Sequence, residues 1–321
     1  MRVSVWPTVV AIAVLLSGCG APDVAESPAA APELATITVG ALPIVDAAAV
    51  WIAMKKGYFA AEGLQVEVKT LTSGAAAVPG LANNEMQFAM GNYVSFFAAQ
   101  ASGALDLKLV ADAYQAKAGM FLIMIGRASP IIRPRDLAGR KIAVNARANV
   151  AELTARSALE TSGVDLRTVT FVAIPFPEMS AALAAGTVDA AFMVEPYVTQ
   201  AEKDTGAVPL VDAASGPTAN IPIAGWVTSA RFARENPNTA YAFQRAILRG
   251  QADAADRIEV EQVVAENVKV DAMTVSLMNL GTWPTTLEAT RIQRVIDLMS
   301  AAGQLPQPLD PRPLILEPAP R

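Results

Sequence analysis

The sequence predicts an α/β protein built from two similar domains, each a mostly parallel sheet with helices on its faces. Three observations predict it. Short apolar strands alternate with helical segments along the chain, the pattern that covers a parallel sheet with helices. The alternation runs through twice, with a local echo: residues 77–90 and 181–193 each read as a helix end, a turn and a strand. The length, 321 residues of which 53% are hydrophobic, suffices for two domains and a sizeable core at roughly 100–200 residues per domain.

Composition excludes several classes. The apolar fraction is too high, and the net charge of −5 too small, for a disordered chain. Twenty Gly, 22 Pro and one Cys fit neither a collagen, a coiled coil nor a disulfide scaffold. The absence of His removes His-based acid–base catalysis, His-dependent nucleophile triads and most zinc sites. One Cys makes neither an iron–sulfur cluster nor an internal disulfide. A pI near 5.0 provides no basic face for nucleic acid. No cofactor, no metal and no nucleic-acid partner is therefore expected.

The N-terminus reads as an address. Arg2 is the only charge before Asp23, and residues 3–16 are apolar apart from Ser4 and Thr8. That is the length of a signal-peptide core and short of the roughly 20 residues a spanning helix needs. The run Leu16-Ser17-Gly18-Cys19 follows and resembles the bacterial lipoprotein cleavage motif, in which the Cys becomes the lipidated first residue. The alternative is a plain secretory signal with a chance Cys, but the one Cys of the chain occupies the position the motif needs. The expectation is a signal over 1–18, a flexible Ala/Pro-rich linker over 19–35 (Pro22, Pro28, Pro32), and a lipid on Cys19 that holds the protein to the outer face of a membrane.

The elements of the body then follow in order. Residues 36–40 read as a strand, 46–56 as a helix from the spacing of Ala49, Val50, Ala53 and Met54, and 64–69 as an alternating strand. Ser73 and Gly74 open a helix; 86–90 is a strand, 92–101 a helix and 107–111 a strand. The second run has strands at 141–144, 169–173 and 189–193. Its helices begin at Asn149, with Glu152 in the capping-box position, at Glu178, and at Glu195-Pro196. Two apolar segments, 120–125 and 221–227, are candidate crossings between domains. From 230 onward the pattern is helical, at 237–258, 259–268, 272–280 and 286–302. The tail from 305 holds six prolines and cannot be regular helix.

Three segments carry a resemblance. Residues 53–68, with Lys56-Gly57-Tyr58-Phe59, residues 136–144 and residues 188–197, with Glu195-Pro196-Tyr197, together resemble extracytoplasmic solute-binding proteins of ABC importers, the nitrate, sulfonate, taurine and thiamine-pyrimidine group. The resemblance covers roughly residues 36–302. It implies a two-lobed periplasmic-binding-protein type 2 fold, doubly wound, with a ligand cleft between lobes. The implied division is 36–122 and 227–321 for the first lobe and 123–226 for the second. The resemblance also implies a monomeric, non-enzymatic protein that captures a small molecule by lobe closure and delivers it to an ABC permease, at the outer membrane face or in the periplasm. The family's eukaryotic branch makes the thiamine pyrimidine with a His and a Cys-rich motif, which this chain lacks.

Cleft residues are expected at strand-to-helix junctions, where free N–H groups and the ligand meet. Asp46 is a candidate for a ligand amine or ring N–H, or a helix cap. Ser73 and Gly74 offer N–H groups, or cap. Asn92 and Tyr93 form the third junction, and Tyr93 and Tyr114 either stack on a ring or pack in the core. Around the second-lobe helix start, Arg147 with Asn149 offers an anion site, or Arg147 is simply solvated. Glu195 is a poor cap type and a candidate ligand carboxylate. Trp226 lines the cleft or packs the hinge. Two carboxylates, Asp46 and Glu195, favour a nitrogen-containing heterocycle or amine over a sulfonate- or nitrate-type anion. A ligand-sensing or scaffold lipoprotein is the alternative class.

Overall fold

The computed structural model describes residues 1–3 and 30–317; the expected signal core and Cys19 lie outside the described residues. Ten strands run in chain order: β1 Thr36–Ala41, β2 Gln65–Thr70, β3 Phe88–Asn92, β4 Leu107–Gln115, β5 Leu122–Ile125, β6 Lys141–Val144, β7 Thr170–Ala173, β8 Ala190–Met193, β9 Val208–Asp212 and β10 Pro222–Ser229. They form two five-stranded sheets, ordered β2-β1-β3-β10-β4 and β7-β6-β8-β5-β9. Pairings of β1 with β2 and β3, and of β6 with β7 and β8, are parallel. The fourth strand of each sheet, β10 or β5, runs antiparallel to both neighbours.

The two orders are one topology used twice. In each, three parallel strands are followed by an antiparallel strand that has just arrived from the other sheet. The segments expected to be crossings, 120–125 and 221–227, are largely these arriving strands, and the chain passes between the sheets just ahead of them. The expected lobe boundary at 226/227 falls inside β10, which belongs whole to the first sheet, and Leu122 belongs to the second. β9 was not expected because Pro209 interrupts its pattern. It sits at a sheet edge, where a missing N–H is tolerated. β4 runs on to Gln115, beyond the expected 111.

The body begins earlier than expected. Glu33, assigned to the linker, accepts from the N–H groups of Asn238 (3.0 Å) and Thr239 (2.7 Å) at the start of the helix Pro237–Asp253. A carboxylate there satisfies free donors and complements the helix dipole. The Lys56-Gly57-Tyr58 motif has a packing role. Gly57 takes φ 70° to turn one helix into the next. Lys56 pairs with Asp253 (2.9 Å) and Glu259 (3.0 Å), and the Arg249 guanidinium lies 3.8 Å from the Tyr58 ring centre. The motif fastens the first lobe to the C-terminal helices.

One glycine sets the seat of the site's first helix. A Cβ on Gly250 would lie 2.2 Å from the Ala49 carbonyl oxygen and 3.0 Å from the Ala53 Cβ. The helices Ala48–Lys55 and Pro237–Asp253 therefore touch backbone to backbone. Gly250→Ala is expected to lower unfolding free energy by about 1–3 kcal/mol, the usual cost of overpacking, measured by urea titration.

Candidate functional site

The parallel strands of both sheets deliver their carboxyl ends to a shared interior. Leu42, Ile44 and Asp46 follow β1, and Asn92 ends β3. Asn145, Asn149, Val150 and Ala151 follow β6, Phe176 follows β7, and Val194 follows β8. The arriving antiparallel strands present their amino ends there, contributing Phe121, Ile223 and Ala224. These residues bound a cavity of about 30 Å³, room for a water molecule or two and well below the usual size of a small-molecule site, so a ligand of that size needs the lobes to part further. Its lining is mostly apolar, with one carboxylate, Asp46, and three amides, Asn92, Asn145 and Asn149.

Asp46 is the electrostatic feature of this cavity. It is 4% exposed, within the 3-10 turn Val45–Ala47 ahead of the first helix. Among the described residues no other group donates to its carboxylate; burial pushes its pKa up to about 7, opposed by its own backbone amide alone. Its main chain is held by Trp283, whose Nε1 donates to the Asp46 carbonyl at 3.3 Å. Burial, and then the nearby Asp46 charge, push the Tyr114 hydroxyl well above its ordinary value.

The amides join the lobes. Asn92 Oδ1 accepts from Ser95 N (2.9 Å) as the cap of its own helix, and from Val150 N (3.3 Å), the first residue of a second-lobe helix. Asn149 Oδ1 caps that helix through Glu152 N (3.2 Å), and its Nδ2 donates to Asn145 Oδ1 (2.8 Å). Asn145 Nδ2 reaches back to the Thr72 carbonyl (3.5 Å). Further cross-lobe bonds run from Tyr197 Oη to the Pro43 carbonyl (3.0 Å) and from Val45 N to the Glu195 carbonyl (3.3 Å). The lobes are closed on one another.

Of the ten expected site residues, Asp46, Asn92 and Asn149 line the cavity. The others do not. Ser73 caps its helix through Ala76 N (3.3 Å), and Gly74 is packed so tightly that a Cβ would lie 3.0 Å from Asn92 N. Tyr93 is fully buried and donates to Asp112 at 2.9 Å; Tyr114 is fully buried and accepts from Gly281 N at 2.7 Å. Trp226 lies in the core of the first lobe against Phe243. Its Nε1 has no partner among the described residues. Arg147 turns to Glu152 (2.7 Å) and the Phe171 carbonyl (2.9 Å).

Glu195 corrects the reading of it as a poor cap. Its carboxylate accepts from Thr199 N (3.2 Å) and Thr199 Oγ1 (2.9 Å), and from Asn279 N (3.0 Å). It serves its own helix and the C-terminal segment, so of the two expected ligand carboxylates Asp46 is the one without a partner among the described residues. Glu152 completes the second-lobe loop by accepting from Ala148 N at 2.9 Å, one residue short of the capping-box partner. Ala148 holds φ 52° there, a left-handed conformation an alanine adopts at a cost of roughly 1–2 kcal/mol. The missed lining residues Phe121, Phe176 and Phe192 gave no sequence signal beyond being apolar near strand ends.

Two α/β lobes of one repeated topology, crossed twice by the chain and closed over a cavity at facing strand ends, define a periplasmic-binding-protein fold. The chain belongs to the NMT1/THI5-like family: the profile described as "NMT1/THI5 like" matches residues 45–258. Solved structures share the fold at low identity. The alkanesulfonate-binding protein SsuA from Xanthomonas axonopodis pv. citri, bound to MOPS, is 19% identical with a TM-score of 0.75, over 88% of this chain and 99% of that one. The periplasmic nitrate-binding protein NrtA from Synechocystis PCC 6803 is 17% identical with a TM-score of 0.73, over 89% and 86%. The desulfurization enzyme DSZB is 18% identical with a TM-score of 0.69, over 88% and 96%. Comparison with curated protein sequences gave no match.

Asp46 also sets a pH dependence. A carboxyl raised from its ordinary value to about 7 keeps its proton in the folded chain while the unfolded chain has lost it. Stability therefore falls as pH rises from the ordinary aspartate value to about 7, and the full cost is present above that. Asp46→Asn is expected to raise unfolding free energy at pH 8 by up to roughly 4 kcal/mol and to flatten that slope, as read from denaturant titrations at several pH values.

Proposed function

We propose that this chain is a lipid-anchored substrate-binding protein of an ABC importer, capturing a nitrogen-containing heterocycle or amine by lobe closure and passing it to a permease. The observation that carries the ligand class is the unpartnered Asp46 carboxylate in a mostly apolar cavity, where it is the one carboxylate beside three amides. A buried carboxylate without a partner costs free energy that a cation or N–H donor recovers on binding. A sulfonate or nitrate would face that charge, and the nearby helix starts already spend donors on Asn92 and Asn149.

The binding role draws on the family and on the fold shared with binding proteins for alkanesulfonate and nitrate. The fold also carries an enzyme, but we read this chain as a binder: it has no His, and its one Cys sits in the signal motif. That motif supports attachment through Cys19 at the outer face of the membrane, as a monomer that meets its permease there.

The test is a thermal-shift screen with two ligand pools, one of nitrate, bicarbonate, taurine and alkanesulfonates, the other of aminopyrimidines, flavins and small amines. A ligand at 100 times its Kd adds about 2.7 kcal/mol of stability, a clear rise in Tm. The expected hit is in the second pool, is lost in Asp46→Asn, and strengthens from pH 6 to 8 as Asp46 ionises. A hit only in the first pool, weakening over the same pH range, would overturn the ligand class.

A further inference from the structure

The segment 271–283 touches both lobes at once. It leaves the C-terminal helices, where Arg257 Nη2 donates to the carbonyls of Ser276 (2.8 Å) and Met278 (2.9 Å). It meets the second lobe at two points. Lys203, on the helix Tyr197–Thr205, pairs with the Asp271 carboxylate and donates to Thr274 Oγ1 at 2.9 Å. Asn279 N donates to the buried Glu195 carboxylate at 3.0 Å. It also meets the cavity wall of the first lobe, where Gly281 N donates to the Tyr114 hydroxyl and Trp283 Nε1 to the Asp46 carbonyl. Between these, Asn279 Nδ2 bonds the Ala118 carbonyl (3.0 Å) in the first crossing.

From this geometry we infer that 271–283 is a closure strap, latching the second lobe through Lys203 and Glu195 while it holds the main chain of Asp46. The inference rests on lobe closure as the binding motion. The strap is continuous with helices packed on the first lobe, so a second lobe that swings open must part from it at Lys203 and at Glu195. These anchors differ in kind. The Glu195–Asn279 bond is buried and charge-assisted. The Lys203–Asp271 pair is half-exposed, at 31% and 54%, and is weakened by salt. Lys203 is therefore the adjustable anchor. Because the same segment fixes Asp46, the strength of the latch and the position of the ligand carboxylate are set together.

The test measures closure directly. In the full chain carrying Cys19→Ser, spin labels on Lys69→Cys and Glu160→Cys report the distance between lobes by double electron–electron resonance. Lys203→Met is expected to raise the open-to-closed ratio about two- to five-fold, with Lys203→Arg restoring the parent distribution. Raising NaCl from about 50 to 500 mM should open the parent by a similar factor and leave Lys203→Met unmoved. Circular dichroism verifies that each variant is folded. Opening that is the same with and without Lys203 would overturn the strap and leave lobe closure standing. A single distance under every condition would overturn both.

Discussion

A parallel strand followed by a helix brings two things to one edge of its sheet, the strand's carboxyl end and the helix's unpaired N–H groups. In this chain both sheets do so, and their edges face each other across one cavity. The rest of the structure answers that constraint. The exposed donors must be satisfied, which is why Ser73, Asn92, Asn149 and Glu195 all sit at helix starts and all accept from backbone N–H groups. Asn92 satisfies donors of two helices from opposite lobes with one oxygen, so the capping of the sheets and the closure of the lobes are partly the same interaction.

Capping consumes most of the polar groups at the interface and leaves Asp46 standing apart. It lies in a turn ahead of its helix and makes no side-chain capping bond. Its neighbours Leu42 and Ile44 and the three phenylalanines of the cavity provide no counter-charge. An isolated carboxylate in such surroundings is costly unless it is protonated or paired. That cost separates Asp46 from the carboxylates whose bonds hold the fold, such as Glu195 and Glu152.

The C-terminal third has a comparable double role. Its helices complete the first lobe through Gly250 against Ala49 and through the cluster at Lys56, Tyr58 and Asp253. Arg291 pairs with the fully buried Asp112, which also accepts from Tyr93, the residue after Asn92. The cavity wall is thus braced from behind by residues far away in sequence. Tyr93, Tyr114 and Trp226 look like cleft aromatics when the chain is read linearly, yet they belong to this bracing.

The sequence by itself determined the α/β class, the repeated architecture and most strand and helix positions, because those follow from periodicity and local capping chemistry. Asp46, Asn92 and Asn149 were legible as cavity-lining residues for the same reason: each stands at a junction where a strand ends and a helix begins. Only the tertiary structure decided which junction residues face the cavity. Glu195 found Asn279, Arg147 found Glu152 and Tyr114 found Gly281, and each of these bonds removed a polar group from the site. Two of those partners lie more than 80 positions away in the sequence, and no local pattern encodes a contact of that range. Whether a carboxylate is spent on the fold or kept for a ligand depends on what packs against it, which is a property of the assembled lobes.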